Sequence, residues 1–494
     1  MNLLLLLEMA AADRADRTAV QAEDGSLSAG DLLDAAWGGA QVAAGSSALA
    51  YVGTNGLAFP IGLFASAAAG VAFVPINYRL GEEQIHGLLE PLGDALVVVE
   101  GPIGDALSRR GHRVVEAAAF VRQARARSAS VGETPGDGDA PAVLLYTSGT
   151  TAAPKAAVLR HRHLTSYVIT TVEFGAAGAD DAVLVSVPPY HVAGLANLLS
   201  NLYLGRRIVY LSQFDAAGWV DAVRQEQITH AMVVPTMLAR ICEVLEADGG
   251  GLPSLRSVAY GGARTPSAVL RRVMDLLPEV DFTNAYGLTE TSSTIAVLGP
   301  QDHRAARQGD PVAVARLSSA GQVLPTVEIQ VRGPDGSVLP DGVGELWVRG
   351  EQVSGEYAGV DSSLDDQGWF ATRDRGWIDA DGYLFIEGRS DDTIIRGGEN
   401  IAPAEIEEVL LGHPDVEQCA VVGVPDDEWG QRVAAAVVLR PGSVGDAAAI
   451  QDFVRAALRS SKTPDVVSFV DQLPYTETGK LLRRVVQADL AGPD

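Results

Sequence analysis

Short apolar runs alternate with helix-length stretches through the first three hundred residues, as at residues 48–52, 142–146, 182–187 and 231–234. That alternation calls for parallel sheets covered by helices, because parallel strands need a crossover between them. One uncharged stretch, residues 57–77, is long enough to be weighed as a membrane span. Pro60, Gly62, Gly70 and Pro75 interrupt it, and Val71, Ala72, Phe73 and Val74 read as a short buried strand after an alanine-rich helix.

With 494 residues the chain exceeds what one core holds, so two or more packed units are expected. VGETPGDGDAP at 131–141 reads as a surface loop before the strand PAVLLY. From 309 to 387 the texture changes to short alternating runs punctuated by GPDG, LPDG and DADG, the signals of β-hairpins. After Gly388 comes a compact tail, with a helix over Pro403–Leu411 and strands around Val421 and Val437. Pro403 opens that helix, Glu405 and Glu407 sit in its first turns and Gly412 follows it.

Asp and Glu number 63 against 37 Lys and Arg, a formal charge of −26. Such a field repels nucleic-acid backbones and anionic lipids, which argues against nucleic acid as a partner. A single nucleotide is admissible, since one phosphate site needs only local amides and a few cations. Cys242 and Cys419 make neither a disulfide framework nor a thiolate metal site, and a reducing cytoplasm is expected. The opening leucine run has no preceding Lys or Arg and stops at Glu8, so it reads as a surface amphipathic helix and not a signal peptide. The eight histidines form no visible metal cluster, and no GxSxG elbow is present.

The strongest local signal is YTSGTTAAPK, where a strand ending at Tyr146 runs into Thr147, Ser148, Gly149, Thr150, Thr151, Ala152, Ala153, Pro154 and Lys155. Small residues let backbone amides approach phosphates, hydroxyls add donors and Lys155 adds charge. The P-loop pattern fails, because its second Gly and terminal Ser or Thr would fall on Pro154 and Ala156. Taken alone, the segment also fits a capped turn in an ordinary surface connection.

The segment resembles the signature loop of the adenylate-forming superfamily: acyl-CoA synthetases, peptide-synthetase adenylation domains and luciferases. Further matches follow in the family's order: PPYHVAG at 188–194, VPTML at 234–238, YGGA at 260–263, NAYGLTE at 284–290 and GELWVRG at 344–350. GWFATRD at 368–374, GRSDDTIIRGGENIAPAEIE at 388–407 and PYTETGK at 474–480 complete the set. The resemblance implies an α/β fold: a large amino-terminal domain of parallel α/β subdomains plus a β-rich subdomain over 1–388, a hinge over 389–392 and a small mobile α+β domain over 393–494.

The resemblance also implies roles. Lys480 would reach the α-phosphate and carboxylate during adenylation, Glu290 would hold Mg²⁺ on the triphosphate and Thr289 would bond a phosphate. Thr147, Ser148, Gly149, Thr150, Thr151 and Lys155 would cradle the ATP phosphates. Gly261, Gly262, Ala263, Asn284, Ala285, Tyr286 and Gly287 would line the adenine slot, with Asp374 and Arg389 on the ribose. His191, Gly194 and Thr236 would contact the acid, His191 by binding and not as acid or base, and Asp391 would be the hinge pivot. A solvated lysine, a surface glutamate, a core tyrosine or histidine and ordinary turn residues are the bland alternatives for these positions.

Three positions depart from the family pattern: Ala152 and Ala156 replace loop glycines, and Arg373 replaces the glycine before the ribose aspartate. The expected reaction is ATP-dependent activation of a carboxylic acid, a fatty acid by preference, followed by transfer to coenzyme A. A pocket of Val192, Ala193, Gly194, Thr236, Gly262, Ser292 and Thr294 reads as small and mostly apolar. Coenzyme A is the expected acceptor because no carrier domain follows Asp494. An acyl-AMP ligase feeding a separate carrier protein and a nucleotide-binding descendant without turnover stay open, as does the oligomeric state.

Overall fold

The computed structural model describes residues 1–127, 134–147, 155–426, 428–476 and 481–491. Ala48–Val52, Ala72–Pro75, Leu96–Val99, Arg113–Glu116 and Pro141–Thr147 pair in parallel, and Lys155–Arg160 closes this six-stranded sheet antiparallel. The uncharged stretch resolves into the helix Ala58–Ala69, stopped by Gly70 in the left-handed region at φ 70°, and the strand Ala72–Pro75. Both are buried among protein, and among the described residues no helix is long and apolar enough to cross a membrane.

A second sheet has thirteen strands. Its parallel part runs through Thr18–Ala22, Arg207–Tyr210, Ala182–Val185, His230–Val233, Ser257–Gly261 and Asp281–Leu288. The turn-punctuated region does not form a detached sheet. Its strands Gly321–Val323, Val327–Arg332, Gly344–Gly350, Phe370–Ile378 and Tyr383–Arg389 extend the same sheet through antiparallel pairings beyond Ser293–Leu298. GPDG and DADG make the expected tight turns, with Gly336 and Gly382 at φ 81° and 83°. The short helix Pro311–Arg316, capped by Asp310, lies inside the stretch read as β-rich.

One continuous apolar core joins strands of both sheets to the helices Ala29–Val42, Ala58–Ala69 and Ala117–Ala126. The helix Leu4–Arg14 is present with two faces: Leu4, Leu6, Leu7 and Ala10, with Leu3 before them, are buried in that core, whereas Leu5, Ala12 and Asp13 face outward, so the leucine run is set deeper than a surface helix alone implies.

The tail is a small α+β unit. Val416–Asp426 pairs antiparallel with Gly430–Leu439, which pairs in parallel with Val466–Phe469. Apolar clusters cover both faces, one holding the helices Pro403–Leu411 and Ala447–Ala457, the other Arg483–Ala491.

Candidate active site

Parallel sheets present ligands at the carboxyl ends of their strands, where chains leave the sheet and the backbone is free to meet a ligand. Here both sheets turn those ends to one cleft of about 260 Å³. Asn55 and Tyr78 follow two strands of the smaller sheet, Ser186, Ser212 and Thr236 follow three of the larger, and Tyr475 comes from the small domain. Thr476 also lines the cleft, so the small domain closes one wall.

Thr147 and Lys155 face each other as cross-strand partners, so the glycine-threonine segment is framed by two antiparallel strands. Ser148, Gly149, Thr150, Thr151 and Ala152 lie outside the described residues. Ala156 sits within the strand Lys155–Arg160, with its carbonyl accepting from Ala358 at 2.8 Å. It has no positive φ, so alanine carries no backbone penalty there.

Gly261 ends one parallel strand beside Ala285 of the next. A Cβ on Gly261 would come within 2.2 Å of the Ala285 carbonyl, and one on Gly287 within 1.8 Å of the Ser293 carbonyl, so both positions require glycine for close approach. Gly262 turns the chain at φ 84° into Ala263. Asn284 donates to the Ser319 carbonyl at 3.1 Å, which fixes the amide beside the strand end.

Tyr286 donates its phenol proton to Asp374 Oδ2 at 2.6 Å, and Arg389 Nη1 stands 3.4 Å from Asp374 Oδ1. Burial first, and then the Asp374 charge, push the Tyr286 hydroxyl well above its ordinary acidity range, so it stays a donor. A bulge aims Asp374 inward. Ala371 faces Trp347 and Arg375 faces Glu345, leaving Thr372, Arg373 and Asp374 opposite Leu346. The pivot of the bulge is Arg373 at φ 61°, a left-handed conformation that explains why glycine suits this position.

Thr289 and Glu290 lie on the single turn Thr289–Thr291. Ser354 N–H donates to the Glu290 carbonyl at 2.7 Å, and Gln352 donates to the carbonyls of Thr291 and Thr294 at 3.0 and 2.8 Å. The Glu290 side chain, 9% exposed, accepts from the Tyr357 hydroxyl through Oε1 at 2.6 Å. Tyr357, which no motif marked, also places its ring centroid 5.9 Å from Lys155 Nζ. One residue thereby links Lys155 to the glutamate.

His191 caps the helix Val192–Leu204 and packs on Tyr190 at 4.6 Å between ring centroids. Burial pushes its imidazole down to about 4, so it is neutral near pH 7. A Cβ on Gly194 would stand 2.8 Å from the Pro188 carbonyl, so glycine lets the helix start close under the PPYH turn. Of the residues read as an apolar pocket, Thr236 lines the 260 Å³ cleft, whose other walls include Arg79 and Arg240, so that cleft is polar.

Lys480 lies outside the described residues; Tyr475 and Leu481 on either side of that stretch pair as a bridge. Asp391 lies on the turn Ser390–Asp392, 4.0 Å from Arg373 Nη1. Glu408, on the helix Pro403–Leu411, accepts from Ser267 Oγ at 2.5 Å and pairs with Arg264 at 3.4 Å.

Two sheets feeding one cleft, with a small domain laid across it, is the architecture of the adenylate-forming enzymes, AMP-forming acid–thiol ligases. The chain belongs to the AMP-binding enzyme family: that family's profile matches residues 7–358, and the profile of the AMP-binding enzyme C-terminal domain matches residues 405–480. Among curated relatives, a fatty acid–[acyl-carrier-protein] ligase from Streptomyces coeruleorubidus is 33% identical over 88% of this chain and 85% of its own length. A feruloyl-CoA synthase from an Amycolatopsis species is 34% identical over 89% and 88%. The solved structure of o-succinylbenzoate CoA synthetase from Bacillus subtilis with its acyl-adenylate intermediate matches at TM-score 0.84 and 27% identity, covering 99% of this chain and 98% of that one.

Proposed function

We propose that this chain is an ATP-dependent acyl-CoA synthetase. A carboxylate oxygen attacks the α-phosphorus of ATP, the bond to the β-phosphate oxygen breaks, and pyrophosphate leaves. The thiol of coenzyme A then attacks the acyl carbon, forming the C–S bond as the C–O bond to AMP breaks.

The observation that supports this reading is a pair of side-chain clusters, Lys155 with Tyr357 and Glu290, and Tyr286 with Asp374 and Arg389, close enough that the Arg389 charge acts on the Tyr357 hydroxyl. Asp374 has two acceptor oxygens for the ribose hydroxyls, and Arg389 holds their orientation. Lys155 and the hydroxyls of Thr147 to Thr151 offset the triphosphate charge. Glu290 offers a hard oxygen ligand suited to a hard cation, and its Oε1 is fixed by Tyr357. Bound there, Mg²⁺ would neutralise phosphate charge. Lys480 meets the α-phosphate and carboxylate, and rotation about Asp391 then exchanges it for the face around Arg396 to Asn400.

The acid we favour is a fatty acid, as in the name of the Streptomyces relative; the feruloyl-CoA synthase makes an aryl acid the alternative. The same Streptomyces name favours a second reading, in which the acceptor is a carrier protein. Two buried free cysteines suit a reducing, cytoplasmic setting. An alkyl and aryl acid panel scored by pyrophosphate release, with and without coenzyme A, tests the reading. Thioester with coenzyme A supports it; adenylate without thioester moves the acceptor to a carrier; no acid-dependent pyrophosphate sinks both.

A further inference from the structure

Arg373 combines two costs that ordinary packing does not repay. Its backbone sits at φ 61°, where a side chain is disfavoured, and its long side chain is 59% exposed, with no core contact to gain from the strain. What the side chain does reach is the hinge: Nη1 stands 4.0 Å from Asp391 Oδ2. Its charge also acts on Tyr357, whose hydroxyl is bonded to Glu290. The bulge that aims Asp374 at the site therefore aims its neighbour at the hinge, and the two motifs are tied together by adjacent residues.

We propose that Arg373 is a positioning residue: its pair with Asp391 tethers the hinge to the ribose strand and favours the arrangement in which Tyr475 and Thr476 line the cleft. This rests on the two-step reaction proposed above. Turning the backbone at 389–392 moves the Asp391 carboxylate while Arg373 stays on its sheet, so the pair acts in one arrangement and not in the other. An exposed ion pair is weak and screened by salt, which sets the scale at about two- to five-fold in the ratio of arrangements.

The experiment compares Arg373→Gln, Arg373→Lys, Asp391→Asn and the double variant Arg373→Gln/Asp391→Asn in the full chain. Acid-dependent ATP–pyrophosphate exchange reads the first step, and thioester formation from preformed acyl-adenylate reads the second. Arg373→Gln and Asp391→Asn should each lower exchange relative to thioester formation by about two- to five-fold, the double variant should do no worse, and Arg373→Lys should restore most of the ratio. High salt should shrink the difference. Equal loss in both steps, or additive losses, would overturn the tether.

Spin labels on Val312→Cys and Val444→Cys, exposed positions of the large and small domains, give a readout free of turnover. Arg373→Gln and Asp391→Asn should populate the same second inter-label distance; an unchanged distribution in both overturns the proposal. Should no acid support pyrophosphate exchange in the wild-type chain, the ligase reading fails and the distance measurement still decides the tether.

Discussion

Tyr357 holds Glu290 by a 2.6 Å hydrogen bond from phenol to carboxylate, and the two residues come from segments far apart in the chain. The strand that supplies Lys155 binds them together: Val158 N–H donates to the Glu356 carbonyl at 2.9 Å, and Arg160 pairs with the Glu356 carboxylate at 2.8 Å. Tyr357 therefore arrives at Glu290 on a segment clamped on both sides, and the carboxylate is oriented before any nucleotide enters. Burial first, and then the Glu290 charge, hold the phenol protonated far into the alkaline range, so it serves as a donor at every working pH.

Tyr357→Phe removes that donor and leaves a glutamate that is 9% exposed with one fewer partner. A hydrogen bond to a charged group contributes about 1.5–3 kcal/mol. Urea denaturation should show a loss on that scale or below it, and the half-saturating Mg²⁺ concentration for acid-dependent pyrophosphate release should rise several-fold. An unchanged Mg²⁺ titration would mean that the pair supports the fold alone.

Asp374→Asn keeps the size of the side chain and removes its charge, leaving Arg389 without its 3.4 Å counter-ion and giving Tyr286 a weaker acceptor. If Asp374 accepts both ribose hydroxyls, the wild-type chain should prefer ATP over 2′-deoxyATP, and the variant should lose most of that preference. The expected rise in KM for ATP is about ten- to a hundred-fold, the worth of one charge-assisted pair. A retained preference for ATP over 2′-deoxyATP would remove Asp374 from the ribose.

Four histidines make the molecule acid-labile in a defined window. Burial pushes His161, His163, His191 and His230 each down to about 4. In the unfolded chain a histidine takes up its proton near pH 6.5, so the unfolded state binds protons more tightly than the folded one. The stability they contribute is complete above about pH 6.5 and is lost as pH falls toward and through 4. His161 and His163 each accept a backbone N–H at Nδ1 at 3.2 Å, which protonation would break. The urea midpoint should fall steadily from pH 7 to pH 4, and His163→Gln should flatten part of that slope. The pH profile of kcat/KM should show no ionisation of His191 around neutrality, and His191→Asn should change KM for the acid without moving the profile.

Local chemistry made much of this legible from residues alone. The helix Pro403–Leu411 falls where its opening proline and following glycine place it, and Ala48–Val52 is the strand its apolar run suggests. What escaped was set by distant parts of the chain. Leucines at 3, 4, 6 and 7 are buried because the first helix is covered by neighbours from both halves of the core, which periodicity within one helix does not reveal. The continuity of the thirteen-stranded sheet depends on Gly321–Val323 pairing with Tyr383–Arg389 across sixty residues of hairpins. Tyr357 has no neighbouring motif to mark it, and the left-handed turn at Arg373 belongs to a bulge that only its partner strand defines. Asp374, Glu290 and Tyr286 stand out in the sequence only through the family resemblance of the short motifs that hold them, and their bonds, Tyr286 to Asp374 and Tyr357 to Glu290, become visible only in the fold.

Lys480→Ala is the sharpest test of the two-step scheme. Tyr475 and Thr476, which precede Lys480 by a few residues, line the same cleft as Thr236 and Ser186, so the end of the small domain is brought to the large domain's strand ends. A cation delivered there would act while negative charge builds on the α-phosphate and the leaving pyrophosphate, and would have much less charge to stabilise once pyrophosphate has gone and the adenylate keeps a single negative phosphate. Removing it should lower ATP–pyrophosphate exchange by about a hundred- to a thousand-fold, the usual cost of a lost transition-state contact. Thioester formation from preformed acyl-adenylate should fall by less than a few-fold if, as proposed, that step uses the opposite face of the small domain. KM for ATP should change little beside kcat if the contact matures in the transition state. An equal loss in both steps would instead assign Lys480 to holding the adenylate, and no loss in either would leave the adenylation charge to Lys155 and the hydroxyls around it.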